Sequence, residues 1–102
     1  MLKGWPVNTP GEMGATPLHG AGFHGNAQMT REILRYHVIL ELKSREYEGT
    51  ALGWAVYGSG NGWHRDTGDF VATIRALIEA GATIPRHAAD LEPSEAVLEL
   101  LP

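Results

Sequence analysis

The amino-acid sequence predicts an all-α fold, a stack of helix-turn-helix units joined by β-hairpin or loop connections. The first reason is an internal repeat: TPLHGAGFHGN begins at Thr16 and TALGWAVYGSG begins at Thr50, an offset of 34 residues. The second reason is that apolar side chains recur at helical spacing after each of these openings. A chain of 102 residues has the length of one domain, so residues 1–102 are expected to form a single unit.

Each repeat opening predicts a short inner helix. Threonine is a good N-cap, and proline at the first helical position removes no helical hydrogen bond. Thr16 and Pro17 therefore predict a helix that ends before Gly25. Thr50 predicts the same start in the second unit, where Leu52 repeats the leucine of the first.

The segment that follows each inner helix predicts an outer helix. The apolar residues on one face are Met29, Ile33 and Leu34 in the first outer helix and Phe70, Ile74, Leu77 and Ile78 in the second. Gly81 then supplies the left-handed residue that commonly ends a helix. A last helix is expected within residues 91–102, with Pro93 in its first turn.

Composition limits the function classes. The formal net charge is −4 and the pI is about 5.6, which argues against a nucleic acid or an anionic membrane as the main partner. The chain has no cysteine, which excludes disulfides and thiolate metal sites. No apolar run approaches the roughly 20 residues that a membrane span needs, and the first residues lack the apolar core of a signal peptide. We therefore expect a cytoplasmic protein.

The repeat opening and the helix ending resemble those of the ankyrin repeat. The residues that carry the motif are Thr16, Pro17, Leu18, His19 and Gly25 in the first unit, and Thr50, Leu52 and Gly81 in the second. The resemblance implies two repeats and a C-terminal capping helix. Its segments would be a partial N-terminal hairpin (1–15), repeat 1 (16–49), repeat 2 (50–85) with an inserted loop (59–67), and a C-terminal capping segment (86–102).

The sequence departs from the ankyrin pattern at several positions. Gly53 stands where the first unit has His19, so the second inner helix should have a weaker cap. His37 and Val38 replace the usual Gly-Ala ending of the first outer helix. Gly81 lies 44 residues after His37, ten more than the repeat offset of 34, and the excess places an insertion between the helices of the second unit.

The insertion, which contains WHRDTGDF, has two interpretations. In the first it is structural: Trp63 folds back on the helices, Arg65 pairs with an acid, and one of Asp66, Thr67 and Asp69 caps the next helix. In the second, Trp63, His64 and Arg65 form a contact surface, since aromatic residues and arginine are favoured at interface hot spots. Its letters lack the context of a kinase or phosphate-binding motif, and the spacing of the histidines predicts no metal site.

The resemblance implies a protein–protein interaction module without catalysis and without a cofactor. Its partner would be another protein, held by hairpin tips and inner-helix ends, and the uncapped N-terminal face could pair with a second copy to form a homodimer. The expected contact residues are Glu12, Met13, Phe23, His24, Arg45, Tyr47, Tyr57, Trp63 and Arg65. Two alternatives stay open: a small enzyme or ligand-binding protein that uses His64, Arg65 and Asp66, or a capping or regulatory appendage of another protein.

Overall fold

The computed structural model describes residues 15–36, 38–45 and 49–101. The helices in this part of the chain are α1 (Pro17–Phe23), α2 (Ala27–Ile33), α3 (Ala51–Asn61), α4 (Phe70–Glu79) and α5 (Glu95–Leu98), with a 3₁₀ helix at Ala88–Leu91. No strand occurs within these ranges. The prediction of an all-α fold is therefore confirmed for the part of the chain that the structure describes.

Side-chain caps fix the starts of the helices. Thr16 precedes α1, and its backbone N–H donates to Nδ1 of His19 at 3.0 Å, which is the capping arrangement expected for that histidine. Oγ1 of Thr50 accepts from the backbone N–H of Gly53 at 3.2 Å at the start of α3. Asp69, one of the three predicted candidates, caps α4 by accepting from the N–H of Ala72.

The four longer helices pack as two layers. The inner helix α1 lies against the inner helix α3, and the outer helix α2 lies against the outer helix α4. The core between the layers is apolar, and its fully buried members include Leu18, Ile33, Leu52, Val56, Ile74 and Leu77. At about 25 cal/mol per Å² of apolar surface removed from water, burial of these side chains is the main stabilising contribution to the stack.

The short turns after two helices use glycine. Gly25 follows α1 with φ of +65°, and Gly81 follows α4 with φ of +106°. Both values lie in the left-handed region that other residues rarely adopt. Gly81 therefore ends the second outer helix as predicted, with the N–H of Ala82 donating to Leu77 O as part of the closing turn.

The predicted loop 59–67 begins too early, because α3 continues through Asn61. The side chains of Ser59 and Asn61 explain this extension. Ser59 Oγ accepts from the N–H of Ser94 at 3.0 Å, and Asn61 Nδ2 donates to the carbonyl oxygen of Glu92 at 3.1 Å. These bonds hold the end of α3 against the C-terminal segment, and the inserted turn therefore starts at Gly62.

The C-terminal helix is shorter than the sequence predicts. Ser94 is the N-cap of α5, so Pro93 precedes the helix instead of occupying its first turn. The helix places Val97 in the core, while Leu98 stays half exposed. A 3₁₀ turn and α5 together contact α3 and α4, which puts apolar side chains of this segment against one end of the stack.

The connection between the two units folds as a turn in the residues that the structure describes. The N–H of Ser44 donates to Gly49 O at 2.9 Å, and the N–H of Gly49 donates to Ser44 Oγ at 3.3 Å, so the chain closes on itself here. His37 and most of the predicted N-terminal hairpin (1–15) lie outside the described residues. Within the described ranges, none of the helices combines the length and the apolar character needed to cross a membrane.

Candidate functional site

Aromatic rings from three parts of the chain form a continuous surface where the inner helices meet the insertion. The rings belong to Phe23, His24, Trp54, Tyr57, Trp63 and His64, and each lies within 6.5 Å of another, centroid to centroid. We call these six residues the aromatic surface. Two of them, Tyr57 and Trp63, are among the most exposed large apolar side chains in the described structure.

The two inner helices supply the middle of the aromatic surface. Phe23 at the end of α1 and Tyr57 in α3 occupy equivalent positions of the two repeats, and their rings stack at 6.5 Å with an angle of 19°. The ring of Trp54 meets Phe23 edge-on at 6.0 Å. Such pairs stabilise by about 0.5–1.5 kcal/mol beyond the area that they bury. Neighbouring rings therefore hold one another in place.

Trp54 is also held by a residue of the connection between the two units, Ser44. Its indole N–H donates to Ser44 Oγ at 3.0 Å, and its ring meets the edge of His19 at 5.3 Å. His19 is itself fixed, because Nδ1 accepts from Thr16 and Nε2–H donates to Gly49 O at 2.8 Å. The capping histidine thus orients one end of the aromatic surface.

His24 joins the inner helices to the insertion. Its ring lies 4.8 Å from the ring of His64 and 6.2 Å from that of Trp63, centroid to centroid. Its Nδ1 is buried without a hydrogen-bond partner among the described residues. Burial lowers the pKa of His24, and the charge of the neighbouring His64 lowers it further. His24 is therefore kept neutral by its surroundings.

Backbone hydrogen bonds hold the insertion at both ends. The N–H of Gly62 donates to Gly58 O at 2.9 Å, and the N–H of Asp69 donates to Gly25 O at 2.8 Å. Between them the N–H of Gly68 donates to His64 O at 2.7 Å, which closes a turn. The insertion is thus fastened to the ends of both inner helices.

The position of Trp63 distinguishes the two interpretations of the insertion. Trp63 is 86% exposed, so the prediction that it folds back as an apolar anchor is wrong. The turn closes through its own backbone bonds and needs no buried anchor. The expected pairing of Arg65 with an acid is also wrong, since its Nη1 donates to Gly62 O at 3.2 Å. The contact-surface interpretation of Trp63 remains a prediction.

A shallow, open depression adjoins the aromatic surface. It is lined by residues of α2, of the turn before it and of the insertion: His24, Gly25, Asn26, Ala27, Gln28, Arg31, His64, Thr67, Gly68 and Asp69. His24 and His64 belong both to the depression and to the aromatic surface. Of the proposed catalytic set His64, Arg65 and Asp66, only His64 lines it.

The expected contact residues separate into three groups. Phe23, His24, Tyr57 and Trp63 come together in the aromatic surface. Arg65 lies beside Trp63 with its side chain turned to the backbone, and Arg45 is exposed after the serine that holds Trp54. Glu12, Met13 and Tyr47 lie outside the described residues.

The list of expected contact residues lacks Trp54 and Arg31, and it lacks His64 although the second interpretation of the insertion places His64 in a contact surface. One available signal was the repeat itself. Adding the offset of 34 to His24 gives position 58, close to the point where the insertion leaves the stack. The insertion therefore had to emerge beside the end of the first inner helix, within reach of His24.

Two further observations concern chemistry and relatives. Within the described ranges, no three His, Asp or Glu side chains lie together so that they could hold a metal ion. The sequence matches no protein-family model, and no curated protein matches it.

Acidification is expected to destabilise the fold. Burial lowers the pKa of His19 and of His24 below their ordinary value of 6.5. Below that pH the unfolded chain binds protons more readily than the folded chain. The contribution of the two histidines to the free energy of unfolding is therefore present above about pH 6.5. It decreases as the pH falls, until the pH is below the lowered pKa of the folded state.

Urea unfolding at about pH 7.5 and about pH 5.5 tests this expectation. The midpoint should be lower at the acidic pH, and His24→Gln should reduce the difference. If the difference between the two urea midpoints were the same in the His24→Gln variant, groups other than His24 would cause the loss of stability. Equal midpoints at both pH values would contradict the expectation.

Proposed function

We propose that the chain is a short ankyrin-type repeat protein that binds another protein through the aromatic surface, without catalysing a reaction. In this proposal α1 and α2 form the first repeat, and α3 and α4 form the second. The 3₁₀ turn and α5 serve as the C-terminal cap.

The packing of the helices supports the repeat assignment. Equivalent helices lie side by side, α1 with α3 and α2 with α4, as expected when two copies of one unit stack. The capped starts at Thr16 and Thr50 and the stacked pair of Phe23 and Tyr57 all follow the sequence offset of 34 residues. The inner helices are thus related by this shift, while α4 begins 43 residues after α2 because the insertion lies between α3 and α4.

The exposure of the aromatic surface is the observation that supports binding most strongly. Trp63 is 86% exposed and Tyr57 is 46% exposed within one group of neighbouring rings, and grouped exposed apolar side chains mark interaction sites. Tryptophan and tyrosine are also enriched at interface hot spots. Among the surrounding rings, Trp54 is fixed by its edge contact with the ring of His19 and by the hydrogen bond that its indole N–H donates to Ser44 Oγ. A rigid surface loses little conformational entropy when a partner binds.

Replacement of an exposed ring should weaken the binding of a partner. A library of protein fragments from the organism that encodes this chain, displayed on phage, provides candidate partners. For a selected fragment, Trp63→Ala or Tyr57→Ala should weaken binding by about 2 kcal/mol, roughly thirtyfold.

Tyr36→Ala is the matched control for Tyr57→Ala. Tyr36 is 39% exposed and Tyr57 is 46% exposed, but Tyr36 follows α2 and is no part of the aromatic surface. The control should bind like the unmodified chain. The proposed function would be contradicted by fragments whose affinity falls in the Tyr36→Ala variant but is unchanged in the Tyr57→Ala and Trp63→Ala variants.

A further inference from the structure

We infer that the bound segment of the partner carries an acidic side chain that enters the depression beside the aromatic surface, next to an apolar residue that covers Trp63. This inference rests on the proposed function and specifies the chemistry of the partner. Its basis is the position of the depression and the charged and titratable groups that line it.

The depression and the aromatic surface form one continuous site. His24 and His64 line the depression, and the same two rings contact each other and, through His24, Trp63. A segment that covers the ring of Trp63 therefore also reaches the opening of the depression. One residue or its neighbour can make both contacts.

The depression is lined by groups that favour an anion. Arg31 is exposed on α2 and forms no ion pair with any described residue. The rings of His24 and His64 both line the depression and lie 4.8 Å apart, centroid to centroid. The one carboxylate in the lining, that of Asp69, already accepts from the N–H of Ala72.

A carboxylate satisfies these groups better than a neutral side chain does. An arginine guanidinium can donate two parallel hydrogen bonds to one carboxylate, and hydrogen bonds between charged groups are about twice as strong as neutral ones. The negative charge also favours protonation of His24. In the free protein the burial of His24 and the charge of the neighbouring His64 oppose that protonation.

Binding should therefore be linked to proton uptake. The titratable and charged groups that line the site are His24, His64, Arg31 and Asp69. An arriving carboxylate raises the pKa of His24, which burial and the neighbouring His64 lower in the free protein, so the complex binds more protons than the free protein. By linkage, affinity should increase as pH falls from about 8 to about 6, where the carboxylate of the partner is still ionised.

Selection from a random dodecapeptide phage library at about pH 6 tests the inference. Binding peptides should share an Asp or Glu close to an apolar residue. Arg31→Glu should lower the affinity for the selected peptides by about tenfold or more. Replacement of the shared acid in the peptide by its amide should lower the affinity by a similar factor. The control is Arg75→Glu, an exposed arginine on α4 outside the depression, which should bind as before.

The possible failures are distinguishable. Peptides that depend on Trp63 and Tyr57 but share no acid, or that bind equally to the Arg31→Glu variant, overturn this inference and leave the proposed function standing. Peptides whose binding is independent of Trp63 and Tyr57, or a selection that yields none, count against both. Affinity that rises from about pH 6 to about pH 8 contradicts the proton linkage and with it the acidic contact.

Discussion

Replacement of Gly58 by alanine is expected to destabilise the fold by about 1–3 kcal/mol, the usual range for overpacking. Gly58 is buried in α3 where this helix crosses the end of α1. A Cβ atom at this position would meet the carbonyl oxygen of Phe23 and lie 3.1 Å from the Cα of the same residue. Backbone atoms cannot rotate away as a flexible side chain can, so the two inner helices must move apart.

Gly20→Ala is the control for this substitution, because Gly20 is also helical but a Cβ there has open space around it. Alanine is the better helix former, so this variant should be more stable by about 0.5–1 kcal/mol. Urea unfolding of both variants measures the contrast. If Gly58→Ala were as stable as the unmodified chain, the close contact between α1 and α3 would be contradicted.

The second large effect is expected for His19→Ala, at about 2–4 kcal/mol of lost stability. The side chain is only 1% exposed and joins two parts of the chain. Its loss would leave the N–H of Thr16 without its partner, would remove one of the two hydrogen bonds that the carbonyl oxygen of Gly49 accepts, and would remove the ring that packs against Trp54. Both a cavity and an unsatisfied N–H would result.

His87→Ala provides the comparison for His19. His87 is exposed, and its Nδ1 lies 3.8 Å from Oδ2 of Asp90 at the surface. Such pairs contribute little, so the variant should stay within about 0.5 kcal/mol of the unmodified chain. Equal unfolding midpoints for the two histidine variants would show that the capping role of His19 contributes little to stability.

The parts of the fold that follow local rules could be predicted from the sequence. Thr16 and Thr50 begin helices because a hydroxyl beside a free helical N–H is favourable in any context. Gly81 ends α4 because the left-handed conformation suits glycine. The stacked pair of Phe23 and Tyr57 follows from the repeat offset alone.

The failures concern contacts between residues far apart in the sequence. Ser59 and Asn61 have loop-like neighbours, yet they are helical because they bond to a segment that begins 30 residues further on. In the structural interpretation of the insertion Trp63 folds back as an apolar anchor, but Trp63 is exposed and backbone bonds close the turn without it. Local composition does not encode the partners that decide such cases.

The proximity of His24 and His64 is a third long-range feature. Neither residue has a neighbour in sequence that indicates the other, and the 4.8 Å contact arises because Asp69 ties the insertion to Gly25. The histidine pair connects the aromatic surface to the depression. The attachment of the insertion therefore places the histidine pair in the candidate site. The sequence repeat places the rings at its centre.

Mapping a bound fragment onto the isotope-labelled chain by NMR tests the central proposal most directly. We predict that the largest chemical-shift changes fall on the residues of the aromatic surface: Phe23, His24, Trp54, Tyr57, Trp63 and His64. The outer helices α2 and α4, apart from the residues that line the depression, should change little. Changes concentrated on the outer faces of α2 and α4 or on the C-terminal segment, with Trp63 unaffected, would contradict the proposal.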